Sequence, residues 1–144
     1  MSGPSGTGKS ELALALVDRG HRFVSDDVTL IHRDGQQLIG SPPEALAGMM
    51  QIHGCGLFNI KALYGEKSSL PSSPLQLIIE LAPHIEFEID PLQPSRSSTT
   101  LLGLQIPKIT IPLPSPRNLP LVIELLVRKE IPNKSGYNAP IETA

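Results

Sequence analysis

An α/β fold with a mixed sheet is what this sequence predicts, and three features point to it. A glycine-rich run, Gly3-Pro4-Ser5-Gly6-Thr7-Gly8-Lys9-Ser10, leads straight into strong helix formers. Short β-like runs bounded by turn residues fill the middle of the chain. A second helical segment follows over residues 118–130. The length of 144 residues suits a single domain, 1–144, large enough to bury a core without disulfides or a structural metal.

The first helix is expected over residues 10–18, with Gly20 as its stop. Its apolar residues nearly surround it, so much of it should be buried. A short β-like run, residues 22–25, ends at Asp26-Asp27. Residues 28–33 and 36–39 then read as a hairpin around Asp34-Gly35, a pair favoured in two-residue turns that need positive φ. A loop over residues 40–43 and a helical turn at 44–49 come next. Gly54-Cys55-Gly56 breaks the chain before a strand at residues 57–60. Residues 65–74 are polar and turn-rich. Residues 75–81 and 85–89 read as strands, and 91–100 as a Ser/Thr-rich loop. Residues 106–111 are β-like, with Pro107 favouring an edge or a strand start, and 112–116 are extended. The last helix tolerates Pro120 in its first turn. The tail, 132–144, is polar and expected to be less ordered.

Composition narrows the function classes. The charged fraction is 18% and the formal net charge is −2, which argues against a nucleic-acid binder with a basic stripe. A single cysteine, Cys55, rules out an internal disulfide and suits a reducing, cytoplasmic setting. No apolar run approaches the roughly 18 residues needed to span a membrane. Met1-Ser2-Gly3-Pro4 has neither the basic nor the apolar region of a signal peptide. His32 and His84 are isolated, and no spacing suggests a zinc site.

The chemistry lies in the opening run, which fits G-x-x-x-x-G-K-[ST] at every fixed position. Glycines let successive backbone N–H groups turn inward around phosphate oxygens. The helix that follows aims its positive end at the same anion. Lys9 supplies a mobile charge for the β- and γ-phosphates, and the Ser10 hydroxyl suits Mg²⁺. The expected cofactors are therefore ATP and Mg²⁺. Asp26 and Asp27 close the next β-like run, where a carboxylate commonly meets the metal or the attacking group. Adjacent strand residues point to opposite faces, so only one of the two faces the phosphate easily.

These residues resemble the catalytic domain of the HPr kinase/phosphorylase family, in order and across nearly the whole chain. Gly3–Glu11 resembles its P-loop, and Arg19–Asp27 its next block. Gln51-Ile52-His53-Gly54-Cys55-Gly56-Leu57-Phe58-Asn59-Ile60 resembles its second signature, which Ala62–Gly65 continues. Leu101-Leu102-Gly103, Ile106-Pro107, Arg117-Asn118-Leu119 and Gly136-Tyr137-Asn138-Ala139 match later landmarks.

The resemblance implies a core related to phosphoenolpyruvate carboxykinase and an ATP- and Mg²⁺-dependent kinase for a serine of the phosphocarrier protein HPr. It also implies reversal by inorganic phosphate, control of carbohydrate metabolism and assembly into hexamers. Asp27 matches the catalytic acid/base, Lys9 the phosphate contact, Ser10 a metal contact and Arg117 an arginine linked to dephosphorylation. Gln51 stands where the family has a metal-binding Glu, and His53 where it has Arg. Pro91 replaces an expected arginine, and Ser115-Pro116-Arg117 stands for Pro-Gly-Arg. The family's catalytic histidine, on a strand before the loop, has no counterpart in Met1-Ser2. A catalytically impaired nucleotide-binding regulatory module is the alternative reading. His21 is expected to be structural, and Cys55 lacks an adjacent base that would make it a nucleophile.

Overall fold

Helix α1, Lys9–Asp18, organises the molecule by presenting apolar residues in two directions. The computed structural model describes residues 1, 8–26, 28–83, 95–113, 118–131 and 141–142. Leu12 and Leu16 pack against Ile79 and Leu81 of β7 (Ile78–Pro83), Ile111 of β9 (Leu104–Leu113) and Ile123 of α3 (Leu119–Glu130). Ala13 and Val17 pack in a second cluster, with Phe23 of β1 (Phe23–Ser25), Met50 and Ile52 of β4 (Met49–Ile52) and Ile60 of α2 (Ile60–Tyr64). Met1 packs against both clusters. The nearly all-round apolar character read from the sequence thus reflects burial between two layers.

The strands pair in four groups among the described residues. In the largest-span group β9 lies between β7, parallel to it, and β8 (Ser95–Leu101), antiparallel to it. This is the mixed sheet the sequence predicts. Pro107 falls where β9 has only β8 beside it, because the β7 pairing starts at Lys108. Its missing N–H therefore breaks no ladder bond on the other side, as expected for an edge position. Strands β2 (Leu30–Asp34) and β3 (Gln37–Ser41) form the expected hairpin, with β6 (Ser73–Leu75) added to β3. Strand β4 pairs with β5 (Gly56–Asn59), and Ile141–Glu142, as β10, runs parallel to β1.

Several boundaries differ from expectation, each for a physical reason. The hairpin turn is Gly35-Gln36, one residue later than Asp34-Gly35, because Asp34 still pairs with Gln37. Gly35, at φ +62, takes the first central position, so a single glycine satisfies the turn. The turn at 44–49 shortens to a 3₁₀ turn, Glu44–Leu46, and Met49 begins β4. The strand expected at 57–60 ends at Asn59, which caps α2 by accepting from Ala62 N at 3.1 Å. The polar stretch 65–74 includes a 3₁₀ turn, Glu66–Ser68, and the start of β6. The strand expected over 75–81 is divided between β6 and β7.

The Ser/Thr-rich stretch is a strand, not a loop, from Ser95 onward. It is an exposed edge whose pairing with β9, and not an apolar alternation, makes it β. The strand expected at 85–89, the Pro91 position and the extended run beyond Leu113 lie outside the described residues, as does most of the tail. Helix α3 starts one residue after Asn118, whose Oδ1 accepts from Leu121 N at 3.4 Å.

Candidate functional site

The N-terminus of α1 is where the glycine-rich run ends. Gly8 is the N-cap, at φ +85 and ψ 23, a left-handed conformation that L side chains rarely adopt. With a glycine at the cap, no side chain competes for the N–H groups of the first turn. Lys9 and Ser10 are the first two helical residues.

One carboxylate ties this helix end to the strands beside it. The Ser10 hydroxyl donates to Asp26 Oδ1 at 2.7 Å, and the Gln51 backbone N–H donates to Asp26 Oδ2 at 2.9 Å. Asp26 immediately follows β1, and Gln51 lies in β4. Three elements remote in sequence therefore meet at a half-buried carboxylate. Ser25 adds order to the same corner by donating to the Val28 carbonyl.

A cleft of about 70 Å³ opens beside this carboxylate, lined by Ser25, Asp26, Val28, Leu46, Met49, Gln51 and Leu57. The β pleat explains its composition. Met50 and Ile52 turn inward to the core, so Met49 and Gln51 face outward, and Leu57 of β5 pairs directly with Gln51.

The far end of α1 carries a second polar cluster. Glu124 of α3 is buried and accepts from Arg19 at 2.5 Å and lies 2.9 Å from His21 Nε2. Burial by itself raises the Glu124 carboxyl. Hydrogen bonds from His21 and Arg19, with the Arg19 and His21 charges, outweigh it and hold the group below its ordinary value. His21 is thus a structural histidine, as its position between helix and strand suggests.

Of the residues expected at the site, the structure brings Gly8, Lys9, Ser10 and Gln51 to one end of α1 and its neighbouring strand. Gly3, Pro4, Ser5, Gly6, Thr7, Asp27 and Arg117 lie outside the described residues. Asp26 is the site residue that sequence reasoning passed over in favour of its neighbour. The available signal was the pair itself, since a strand end turns one carboxylate toward the helix. His53 and Cys55 are exposed at the β4–β5 turn, and Arg96 is engaged with Glu130. Among the described residues, no group of three or more His, Cys, Asp or Glu side chains is placed to hold a metal. No helix among them is long and apolar enough to cross a membrane.

Comparison with known proteins places the chain. The family described as HPr Serine kinase C-terminal domain matches residues 1–143. The HPr kinase/phosphorylase of Limosilactobacillus reuteri is 38% identical over 143 residues, covering 96% of this chain and 44% of that protein. The protein of the same name from Caldanaerobacter subterraneus subsp. tengcongensis is 39% identical over 142 residues, covering 97% and 47%. The chain thus spans about half the length of these curated relatives. A solved structure of the Hpr(Ser) kinase/phosphatase from Coxiella burnetii superposes with a TM-score of 0.84 at 39% identity. That match covers 94% of this chain and 84% of the other, and it bears out the mixed α/β architecture.

Proposed function

Because this chain belongs to the HPr serine kinase C-terminal domain family, we propose that it transfers the γ-phosphate of ATP to a serine of the phosphocarrier protein HPr. The observation that carries this reading is the Ser10–Asp26–Gln51 junction at the glycine-capped start of α1. A hydroxyl and a carboxylate 2.7 Å apart are hard oxygen donors. Such a sparse set suits Mg²⁺, which keeps several waters and binds through one or two protein oxygens plus substrate phosphates. Ser10 and Asp26 would hold the ion, with Gln51 contributing a neutral oxygen where the family has a carboxylate. Mg²⁺, when bound, neutralises charge developing on the phosphate oxygens.

The chain's own groups divide the remaining work. Backbone N–H groups of Gly3 and of Ser5, Gly6, Thr7, Gly8, Lys9 and Ser10, with Pro4 fixing the bend between them, would cradle the phosphates in a P-loop, on a core of the phosphoenolpyruvate carboxykinase type. Lys9 draws the β- and γ-phosphate oxygens into line. Asp27 takes the proton from the HPr serine hydroxyl as its oxygen bonds to the γ-phosphorus and the bond to the β-phosphate oxygen breaks, releasing ADP. In the reverse direction, inorganic phosphate attacks phosphoserine, the serine oxygen leaves with a proton from Asp27, and pyrophosphate forms. Arg117 would clamp a phosphate in that step. The setting is cytoplasmic, the role is regulation of carbohydrate metabolism, and the assembly is a homo-oligomer.

Gln51 specifically favours a second reading, a nucleotide-binding regulatory module with impaired catalysis, because it removes a negative charge from the metal's surroundings. Transfer of labelled γ-phosphate from ATP to purified HPr separates the two. Transfer lost in Lys9→Ala and in Asp27→Ala supports the kinase. Absence of transfer by the wild type, with ATP still bound, overturns it.

A further inference from the structure

We propose that Glu124 is a positioning residue for helix α1. Through Arg19 and His21 it fixes the axis of the helix, and with it the place where Lys9 and Ser10 meet the nucleotide. The inference rests on the kinase reading above and adds a determinant of nucleotide binding at the far end of the helix. The ten residues of α1 put the two ends about 15 Å apart along the axis.

The end of α1 is built so that a hold on two side chains is a hold on the whole helix. Gly20, at φ +101, turns the chain back, and the Gly20 and His21 N–H groups donate to the Val17 and Leu16 carbonyls. This pair of bonds is a glycine-ended helix stop, and it ties residues 19–21 rigidly to the last turn. Glu124 of α3, only 7% exposed, engages both side chains that this stop fixes. Arg19 donates to Oε1 at 2.5 Å, and His21 Nε2 lies 2.9 Å from Oε2. Contacts to both oxygens of one carboxylate are directional, so they define a rotation as well as a distance.

The other contacts of α1 do not supply this. Leu12 and Leu16 pack in one cluster and Ala13 and Val17 in another. Apolar burial is non-directional, so it sets the depth of the helix between its layers more closely than its rotation or slide. At the start of α1 the Ser10 hydroxyl donates to Asp26, but in the kinase reading these same groups also receive the cation. Glu124, Arg19 and His21 stand a helix length away, so their hold does not depend on what the site binds. Stability alone gives no reason for the carboxylate. A buried ion pair is often no more stabilising than apolar residues of the same volume. A negative group facing a helix C-terminus also has the unfavourable sign for the dipole. What a satisfied buried network adds is one defined arrangement.

The test is steady-state phosphorylation of HPr by the full chain, with MgADP affinity from titration calorimetry, in Glu124→Gln, Arg19→Ala, Arg19→Lys and Ile123→Val. The Arg19 side chain is 43% exposed, so its variants keep the test open if Glu124→Gln does not fold. The KM for ATP and the dissociation constant for MgADP should rise about three- to tenfold in Glu124→Gln and Arg19→Ala. The KM for HPr should stay unchanged, and Arg19→Lys, which keeps a charged donor, should return both nucleotide constants to within about twofold of wild type. Ile123 packs with Leu12 and Leu16, so Ile123→Val loosens the apolar contact between the same two helices. It should lower the thermal midpoint and leave both nucleotide constants unmoved. Nucleotide constants unmoved in Arg19→Ala, or moved as far by Ile123→Val, overturn the positioning role and leave the kinase reading standing. A wild type that does not phosphorylate HPr overturns the kinase reading, and the MgADP affinities of the same variants still decide the role of Glu124. A wild type that binds no MgADP overturns both.

Discussion

The Ser10 hydroxyl and the Asp26 carboxylate, 16 residues apart in sequence, meet at 2.7 Å and join the glycine-capped helix to the end of β1. Asp26 also receives the Gln51 N–H, so its charge and its shape are both in use. Asp26→Asn keeps the shape and removes the charge. Phosphoryl transfer should fall roughly 10²–10³-fold, as on loss of one preorganised electrostatic partner. The Mg²⁺ concentration for half-maximal activity should rise, with little change in thermal midpoint. A Mg²⁺ titration of initial rates at fixed ATP reads both effects, and an unchanged titration would remove Asp26 from the metal's surroundings.

Gln51→Glu adds a carboxylate to the strand position whose backbone N–H bonds Asp26. Added charge beside Asp26 should lower the Mg²⁺ requirement several-fold, an effect on the order of 1 kcal/mol for a partly exposed site. The same titration checks it. A higher Mg²⁺ requirement would show that repulsion from Asp26 dominates.

Glu124, Arg19 and His21 pin the opposite end of α1 to α3. The Glu124 carboxyl is held below its ordinary value of 4.5. The folded protein then binds fewer protons than the unfolded chain just below that value, so stability is lost as pH falls through the folded value and is fully present above 4.5. Glu124→Gln should cost about 1–3 kcal/mol at pH 7, because it leaves a buried histidine facing a weaker partner. The difference between wild type and variant should shrink below pH 4.5. Urea midpoints across that range test the sign, and a gap that widens in acid would contradict it.

Leu102 is the only non-glycine residue at positive φ among the described residues, at φ +49, in the β8–β9 turn with Gly103. Two-residue turns with positive φ at both centres favour Asn-Gly, and Leu102 is exposed. Leu102→Asn should therefore stabilise the protein by about 0.5–1 kcal/mol. Arg33, which donates to the Leu102 carbonyl at 3.1 Å, bonds the backbone and is undisturbed by the change. Denaturant midpoints decide it, and a destabilised variant would mean that the Leu102 side chain packs.

The sequence by itself determined the two long helices, the β2–β3 hairpin, the mixed α/β class and the glycine-capped start of α1. Each of these is written in local chemistry: helix propensity, a turn glycine, a loop of fixed spacing. Only the tertiary structure decided the rest. Strand β8 has no apolar alternation and is β because β9 lies beside it. Helix α2 is five residues long, too short for periodicity to reveal, and exists through the Asn59 cap and the burial of Ile60. The meeting of Asp26 with the Ser10 hydroxyl depended on how β1 leaves the core, and no residue spacing encodes that angle. The cleft, too, is assembled from four separate segments, because packing Met50 and Ile52 inward obliges Met49, Gln51 and Leu57 to face the carboxylate side.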